Sequence, residues 1–344
     1  MESSRSNSQE VLAVKAPKKT PLLLRTIVVL FAVFCGLYMF TICIKQTRFG
    51  TDSSLFKIQL IQERPCDKSG YQDSELAYLH FPKPQTFRRK ECACNPVRLF
   101  AILSMQRSGS GWFETLLNSH MNISSNGEIF GAKDRRTNAS RVVEVLDQVY
   151  NLDWFSSASK NECSAAVGFK WMLNQGAMSN SKEVVEYFNR RGVSAIFLLR
   201  RNLLRRMISI HANAHDKSVK LLNGTHKSHV HSPKEAQILA QYKPNINTTD
   251  LVDSLQKVEG TVRHALEMFK STRHIVLYYE DIVSNHTKLV DVQEFLRVPY
   301  QDLTSRQVKI HSGPLSQYID NWEHVQKALN GTSFESYLKE DYKL

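Results

Sequence analysis

Four short apolar runs, separated by segments of helical periodicity, constrain this chain more than any other feature. Arg98–Leu103, Ala165–Trp171, Ser194–Leu199 and His274–Tyr278 read as strands. Around them, Trp112–Ser119, Ser140–Tyr150, Ser181–Arg191, Leu203–His215 and Leu251–Phe269 read as helices. The helix at Ser181 has the clearest signals, with Ser181 as N-cap, Glu183 in the first turn and Gly192 after the end. Apolar strands alternating with helices imply an α/β fold with a central parallel sheet covered on both faces. Such a sheet binds ligands at the carboxyl ends of its strands.

The first of those ends is Leu103-Ser-Met-Gln-Arg-Ser-Gly-Ser-Gly-Trp112. A strand that passes through small residues into a helix N-terminus builds an anion site. The small residues allow a tight turn with inward N–H groups, and the helix dipole adds partial positive charge. Arg107 brings a full charge. The stretch is not a Walker A loop: no glycine lies five residues before Gly109, and no lysine follows a glycine here. A second basic element is Phe197-Leu-Leu-Arg-Arg-Asn-Leu-Leu-Arg-Arg-Met-Ile-Ser209. Two turns of helix after the strand end return Ser209 towards Arg201. An arginine with a small hydroxyl suits a terminal phosphate.

The net charge of +12 points to anionic partners, although part of it flanks an uncharged span. That span, Thr26–Ile44, is nineteen residues long, against about 20 needed to cross a bilayer. It lacks a small-residue cleavage site, so it reads as a retained anchor rather than a signal peptide. Lys15, Lys18, Lys19 and Arg25 precede it, which places residues 1–25 in the cytoplasm as a tail and the remainder in a lumen. Sequons at Asn122, Asn138, Asn223, Asn247, Asn285 and Asn330 all follow the anchor. Cys66, Cys92, Cys94 and Cys163 are an even set for an oxidising space, and three pairings are open. Residues 45–95, with Pro65, Pro82 and Pro84, read as a stem and a loop leading into the domain. The globular domain is expected over 96–330, with a tail at 331–344. Residues 216–250 hold His226, His229 and His231 and read as a mobile surface loop rather than a metal site, because no carboxylate or cysteine completes one.

Two phosphate-type elements, one per strand–helix turn, resemble those of sulfotransferases that use 3′-phosphoadenosine 5′-phosphosulfate. Arg107-Ser-Gly-Ser is similar to their 5′-phosphosulfate loop, and Arg201 to Ser209 to their 3′-phosphate element. Tyr278-Tyr-Glu-Asp-Ile282 and Pro314-Leu-Ser-Gln-Tyr-Ile-Asp-Asn-Trp322 resemble two further segments of the family. The likeness covers roughly residues 97–330 and is closest to the Golgi carbohydrate and nodulation-type branch. Arg107 stands where cytosolic members carry lysine, as in the carbohydrate branch; Asn202 and Leu203 replace an aspartate and proline that often follow the 3′-site arginine.

The resemblance implies a P-loop-type three-layer domain behind a single-pass transmembrane helix, lumenal in the Golgi. It implies in-line transfer of a sulfuryl group to a hydroxyl, most readily of a carbohydrate, with no metal and no nucleic acid partner. The donor would lie against Arg107, Ser108, Gly109, Ser110, Gly111 and Trp112 at one end, and against Arg201 and Ser209 at the other. Glu128, shortly after the first helix, matches the position of the family's glutamate base; His120 is the rival. Lys170, at the end of a buried strand, is a candidate contact for the transferring sulfonate. Peptide tyrosine is the alternative acceptor. A P-loop kinase would need a loop lysine, which is missing. A non-enzymatic lumenal glycan-binding protein would need neither paired phosphate elements nor a carboxylate beside the loop.

Overall fold

The computed structural model describes residues 22–48, 66–160 and 163–339. The expected tail through residue 21, the stem from 49 to 65 and residues 340–344 lie outside the described residues. Two compact units meet in sequence between Pro65 and Cys66.

The first unit holds one helix, α1 (Leu22–Arg48). Its described side chains, residues 26–42, are exposed, with Phe31 and Phe34 each at 69%. Among the described residues no helix is long and apolar enough to cross a membrane.

The second unit is a three-layer α/β domain built on five strands. In chain order its elements begin β1 (Arg98–Ser104), α2 (Ser110–Ser119), β2 (Ile123–Ser125), α3 (Ala139–Tyr150), β3 (Ala166–Met172), α4 (Ser181–Arg191) and β4 (Val193–Leu199). They continue α5 (Leu203–Val219), α6 (Pro233–Ala240), α7 (Leu251–Met268), β5 (His274–Tyr278), α8 (Tyr279–Ser284), α9 (Lys288–Phe295) and α10 (Trp322–Leu329). All pairings are parallel, in the order β2-β3-β1-β4-β5.

Alternation along β1 assigns the two faces. Leu99, Ala101 and Leu103 pack with α3, α4 and α7, whereas Phe100 and Ile102 pack with α2, α8 and α9. Both faces are therefore dry, which is why every residue of β1, β3 and β4 is buried. A third apolar cluster joins α5, α7 and α10, and takes in Phe334, so the chain just past 330 packs on the domain.

The four expected strands are present almost to the residue. β2 was not expected, because Ile-Ser-Ser is too short to show a period; it exists only by pairing with Ala166–Gly168. Ser181 is the first helical residue of α4 and not its cap; Asn180 occupies the cap position, with its side-chain amide donating back to Gly176 O rather than capping the helix. Gly192 ends that helix in the left-handed conformation, as expected. α5 runs past His215 to Val219, and α6 lies inside the segment expected to be a mobile loop. That expectation is corrected: Ser232 caps α6 by accepting from Glu235 N–H, and Val230 is fully buried.

The four cysteines of the second unit pair as Cys66–Cys94 and Cys92–Cys163. They fasten residues 66–94 to the domain, as do the Glu75–Arg98 ion pair at 2.9 Å and the paired backbone of His80 and Val97.

Candidate functional site

A cavity of about 380 Å³ lies at the carboxyl ends of β1, β3 and β4. β1 delivers residues 106–112 to it, β3 delivers Lys170 and Met172, and β4 delivers Arg200.

The loop after β1 is wound tightly. Ser104 Oγ donates to Leu198 O at 2.7 Å, fixing where the strand stops. Arg107 then adopts φ 65, a left-handed angle rare for a side-chain-bearing residue, and Gly109 follows at φ 83. Gly109 is required twice over, since a Cβ there would also fall 2.2 Å from the Tyr279 ring. It caps α2 with no side-chain bond, so the first-turn N–H groups of Ser110, Gly111 and Trp112 have no intrahelical acceptor and face the cavity end of the helix.

Among the described residues, five cations line the cavity, Arg107, Lys170, Arg200, Arg205 and Lys309, and Glu128 is the single acidic one. Arg107 is bonded on both sides, Nε to Ser209 Oγ at 2.8 Å and a terminal nitrogen to Ser228 O at 2.8 Å. Burial and the neighbouring Arg200 charge pull its pKa down to about 10, which still leaves it charged at neutral pH. Arg200 is locked by Glu280 at 3.1 Å, and Glu280 also accepts from the Arg201 backbone N–H. The Tyr-Glu-Asp segment thus braces the end of β4. Arg205 donates to Gly313 O at 3.0 Å.

Glu128 is reached by two donors. Gln175 Nε2 bonds its Oε1, and Lys170 Nζ lies 3.8 Å from its Oε2. Gln175 gets there through an irregular turn after β3, where Gln175 and Gly176 leave helical geometry. Lys170 is also 3.2 Å from Glu114 Oε2, and Glu114 Oε1 accepts from Ser125 Oγ and Gly127 N–H. Gly127 takes φ 77, turning the chain so that Glu128 enters the cavity. The buried Glu114 therefore sets both the lysine and the loop that carries Glu128.

Of the residues expected from sequence, Arg107, Gly109, Ser110, Gly111, Trp112, Glu128, Lys170 and Ser209 come together here. Two do not line the cavity. Ser108 is buried, and its N–H is spent on Met105 O. Arg201 is half-exposed, paired with Asp281 at 2.5 Å and stacked on Tyr278. His120 is removed as a rival base: its Nδ1 accepts from Asn122 N–H, so Nε2 carries the proton and donates to Pro299 O, away from the cavity.

Sequence reasoning missed Arg200, Arg205, Lys309, Glu114 and His311. Of these, Glu114 left a signal: a carboxylate next to Phe113 in an otherwise apolar helix face. His311 lines the cavity, is 7% exposed, and its Nε2 has no hydrogen-bond partner among the described residues. Burial, then the charges of Arg107, Arg205, Arg200 and Lys309, pull its pKa from 6.5 to about 3. It is neutral in the fold but takes a proton when unfolded below pH 6.5. Stability is therefore complete above that pH and falls on acidification, by about 2 kcal/mol between pH 7.5 and 5 from this group. Urea midpoints at the two pH values should show a shallower loss for His311→Gln than for the parent; identical slopes would remove His311 as the cause.

Among the described residues no group of three or more His, Cys, Asp or Glu is placed to hold a metal. No family model matches the chain, and no curated protein matches it. Among solved structures it is similar to a sulfotransferase from Alicyclobacillus acidocaldarius, at 12% identity over 70% of this chain and 98% of that one, with a TM-score of 0.38. It is also similar to the sulfotransferase domain from the curacin biosynthetic pathway, at 16% identity over 72% and 93%, with a TM-score of 0.33.

Proposed function

We propose that this chain is a sulfotransferase that moves a sulfuryl group from 3′-phosphoadenosine 5′-phosphosulfate to a hydroxyl, most readily of a carbohydrate. One observation carries the reading. One cavity joins an uncapped helix N-terminus and, among the described residues, five cations and a lone carboxylate at the ends of parallel strands. Cations and N–H dipoles suit the charge that gathers on a leaving phosphate. The lone carboxylate suits removal of one proton.

In this reading Arg107 and the N–H groups of Gly109 to Trp112 hold the 5′-phosphosulfate. Lys170 contacts the transferring sulfonate. Glu128 takes the proton of the acceptor hydroxyl as its oxygen attacks sulfur and the bond from sulfur to the phosphate oxygen breaks, releasing adenosine 3′,5′-bisphosphate. Metal is not part of this scheme. Arg201 and Ser209 serve the 3′-phosphate. Arg201 is available for this, because an exposed pair such as Arg201–Asp281 holds it by only about 0–1 kcal/mol.

The same proposal places the protein in the Golgi membrane with its domain lumenal, and expects no nucleic acid partner. The anchor rests on the uncharged span Thr26–Ile44 and the basic residues before it. Five of the six sequon asparagines, all but Asn122, are exposed on the second unit, as glycan carriers must be.

Transfer of labelled sulfate from the donor to a panel of glycans, tyrosine peptides and small alcohols tests the activity. Transfer to sugars supports the proposal; transfer to tyrosine alone redirects the acceptor; retention on no adenosine bisphosphate column and no transfer overturn it. The two 3′-phosphate residues should separate. Arg201→Ala is expected to weaken adenosine 3′,5′-bisphosphate by about 1.5 kcal/mol and to spare adenosine 5′-phosphosulfate. Ser209→Ala should weaken both, because it also releases Arg107. Calorimetry with the two ligands decides, and equal losses for Arg201→Ala would detach it from the 3′-phosphate.

A further inference from the structure

Arg107 is held from behind by a chain of contacts that the proposed reaction does not use. Residues 220–232 form a strap that reaches the cavity at Ser228 and His229. Asp216, near the end of α5 and 2% exposed, gathers its first half: Oδ1 accepts from Leu221 N–H at 3.0 Å, and Oδ2 from Lys227 N–H at 3.1 Å. The far half is fastened where Val308 N–H donates to Val230 O at 2.9 Å, Val308 itself lining the cavity. Between these fixings, His226 Nδ1 lies 2.7 Å from Asp216 Oδ2, and its Nε2 lies 3.1 Å from Ser228 Oγ.

The carboxylate sets the tautomer. Nδ1 carries the proton towards Asp216, which leaves Nε2 to accept from the Ser228 hydroxyl. The arrangement has the partners of an Asp–His–Ser triad, but its output is the serine carbonyl. That carbonyl is the acceptor that holds Arg107 at 2.8 Å. With Ser209 as the other acceptor, two of the five guanidinium N–H groups are engaged, which fixes the plane of the fork and leaves the remaining edge for a ligand.

We propose that Asp216, His226 and Ser228 are positioning residues that set the guanidinium of Arg107 for an anionic ligand, through the carbonyl of Ser228. The inference rests on the reading that Arg107 contacts the sulfuryl donor. Neither His226 nor Asp216 lines the cavity, so both act through the strap.

A double-mutant cycle on the full-length protein tests this. In the parent, His226→Asn, which keeps a donor for Asp216 but is too short to reach Ser228, should weaken adenosine 3′,5′-bisphosphate binding about tenfold. Ser228→Ala, which removes only a hydroxyl, should do nearly the same. In an Arg107→Ala background each should change affinity less than about twofold, because the group they position is gone. Equal weakening in both backgrounds would make the strap merely structural and overturn the proposal. A second readout needs no nucleotide: phenylglyoxal labelling of Arg107, read by peptide mass spectrometry, should speed up severalfold in both variants. Unchanged labelling overturns the proposal. Sulfate label found on Ser228 itself would also overturn it, since the serine would then be a nucleophile. If the parent binds no bisphosphate, the sulfotransferase reading fails, and the labelling rate alone still decides the positioning role.

Discussion

Glu128→Gln is expected to lower single-turnover sulfate transfer by about 10²–10⁴-fold while donor affinity stays near the parent value, the usual size of a lost general base. In the proposed reaction the acceptor hydroxyl must shed a proton as its oxygen attacks, and among the described residues Glu128 is the only acidic side chain lining the cavity. Glutamine has nearly the same shape and keeps an oxygen for Gln175 Nε2, yet it cannot take the proton. Donor binding should be spared, since Arg107 is held by Ser209 and Ser228 and not by Glu128. Calorimetric donor binding beside rapid-quench transfer separates the outcomes. Near-normal turnover would exclude Glu128 as the base; joint loss of binding and turnover would mean that it organises the donor site instead.

Lys170→Met is expected to cost about 3–5 kcal/mol of stability, the scale for breaking one side of a buried ion pair. Lys170 is 8% exposed and Glu114 7% exposed, and the lysine is the cation that faces both Glu114 and Glu128. Methionine fills the volume but leaves Glu114 as a buried charge with only Ser125 and Gly127 to donate to it. The double variant Glu114→Gln with Lys170→Met should recover most of the loss, because the orphaned charge is gone. Urea unfolding of the four proteins in the cycle measures this. A loss in Lys170→Met that the second change does not relieve would place the cost in packing rather than charge. Transfer should remain low in the rescued variant, since the lysine is not restored.

β1, β3 and β4 were legible because they are buried on both faces, and dry strands are written as apolar runs such as Leu99–Leu103. β2 was not, because its three residues owe their conformation to β3 alongside. The loop after β1 was legible from Arg107, Gly109 and the following helix, all local in sequence. Arg200, Arg205, Lys309 and His311 were not: Arg200 and Arg205 stand in the same basic run as Arg201, and nothing local distinguishes a cation that faces a cavity from one that faces water. Arg201 illustrates the converse. Its spacing to Ser209 matched a family pattern, while the cavity wall was taken by its neighbours Arg200 and Arg205. The strap was misread because its polar composition resembles a solvated loop; the buried Asp216 that organises it looks in sequence like an ordinary surface residue of α5.

The loop after β1 is made early by the ribosome and completed late. Its arginine waits for acceptors 102 and 121 residues downstream, and the ring that packs on Gly109 belongs to Tyr279, beyond both. At roughly 5–20 residues per second, those partners emerge many seconds after the loop itself. Until then, Arg107 has neither anchor and its left-handed turn has nothing to hold it. A nascent chain can thus pair β1 with β3 and β4 while still unable to grip an anion. Completion needs β5, α8 and the cavity-lining residues 307–311 beyond them, so a chain truncated before residue 279 is expected to retain helix and strand yet no site.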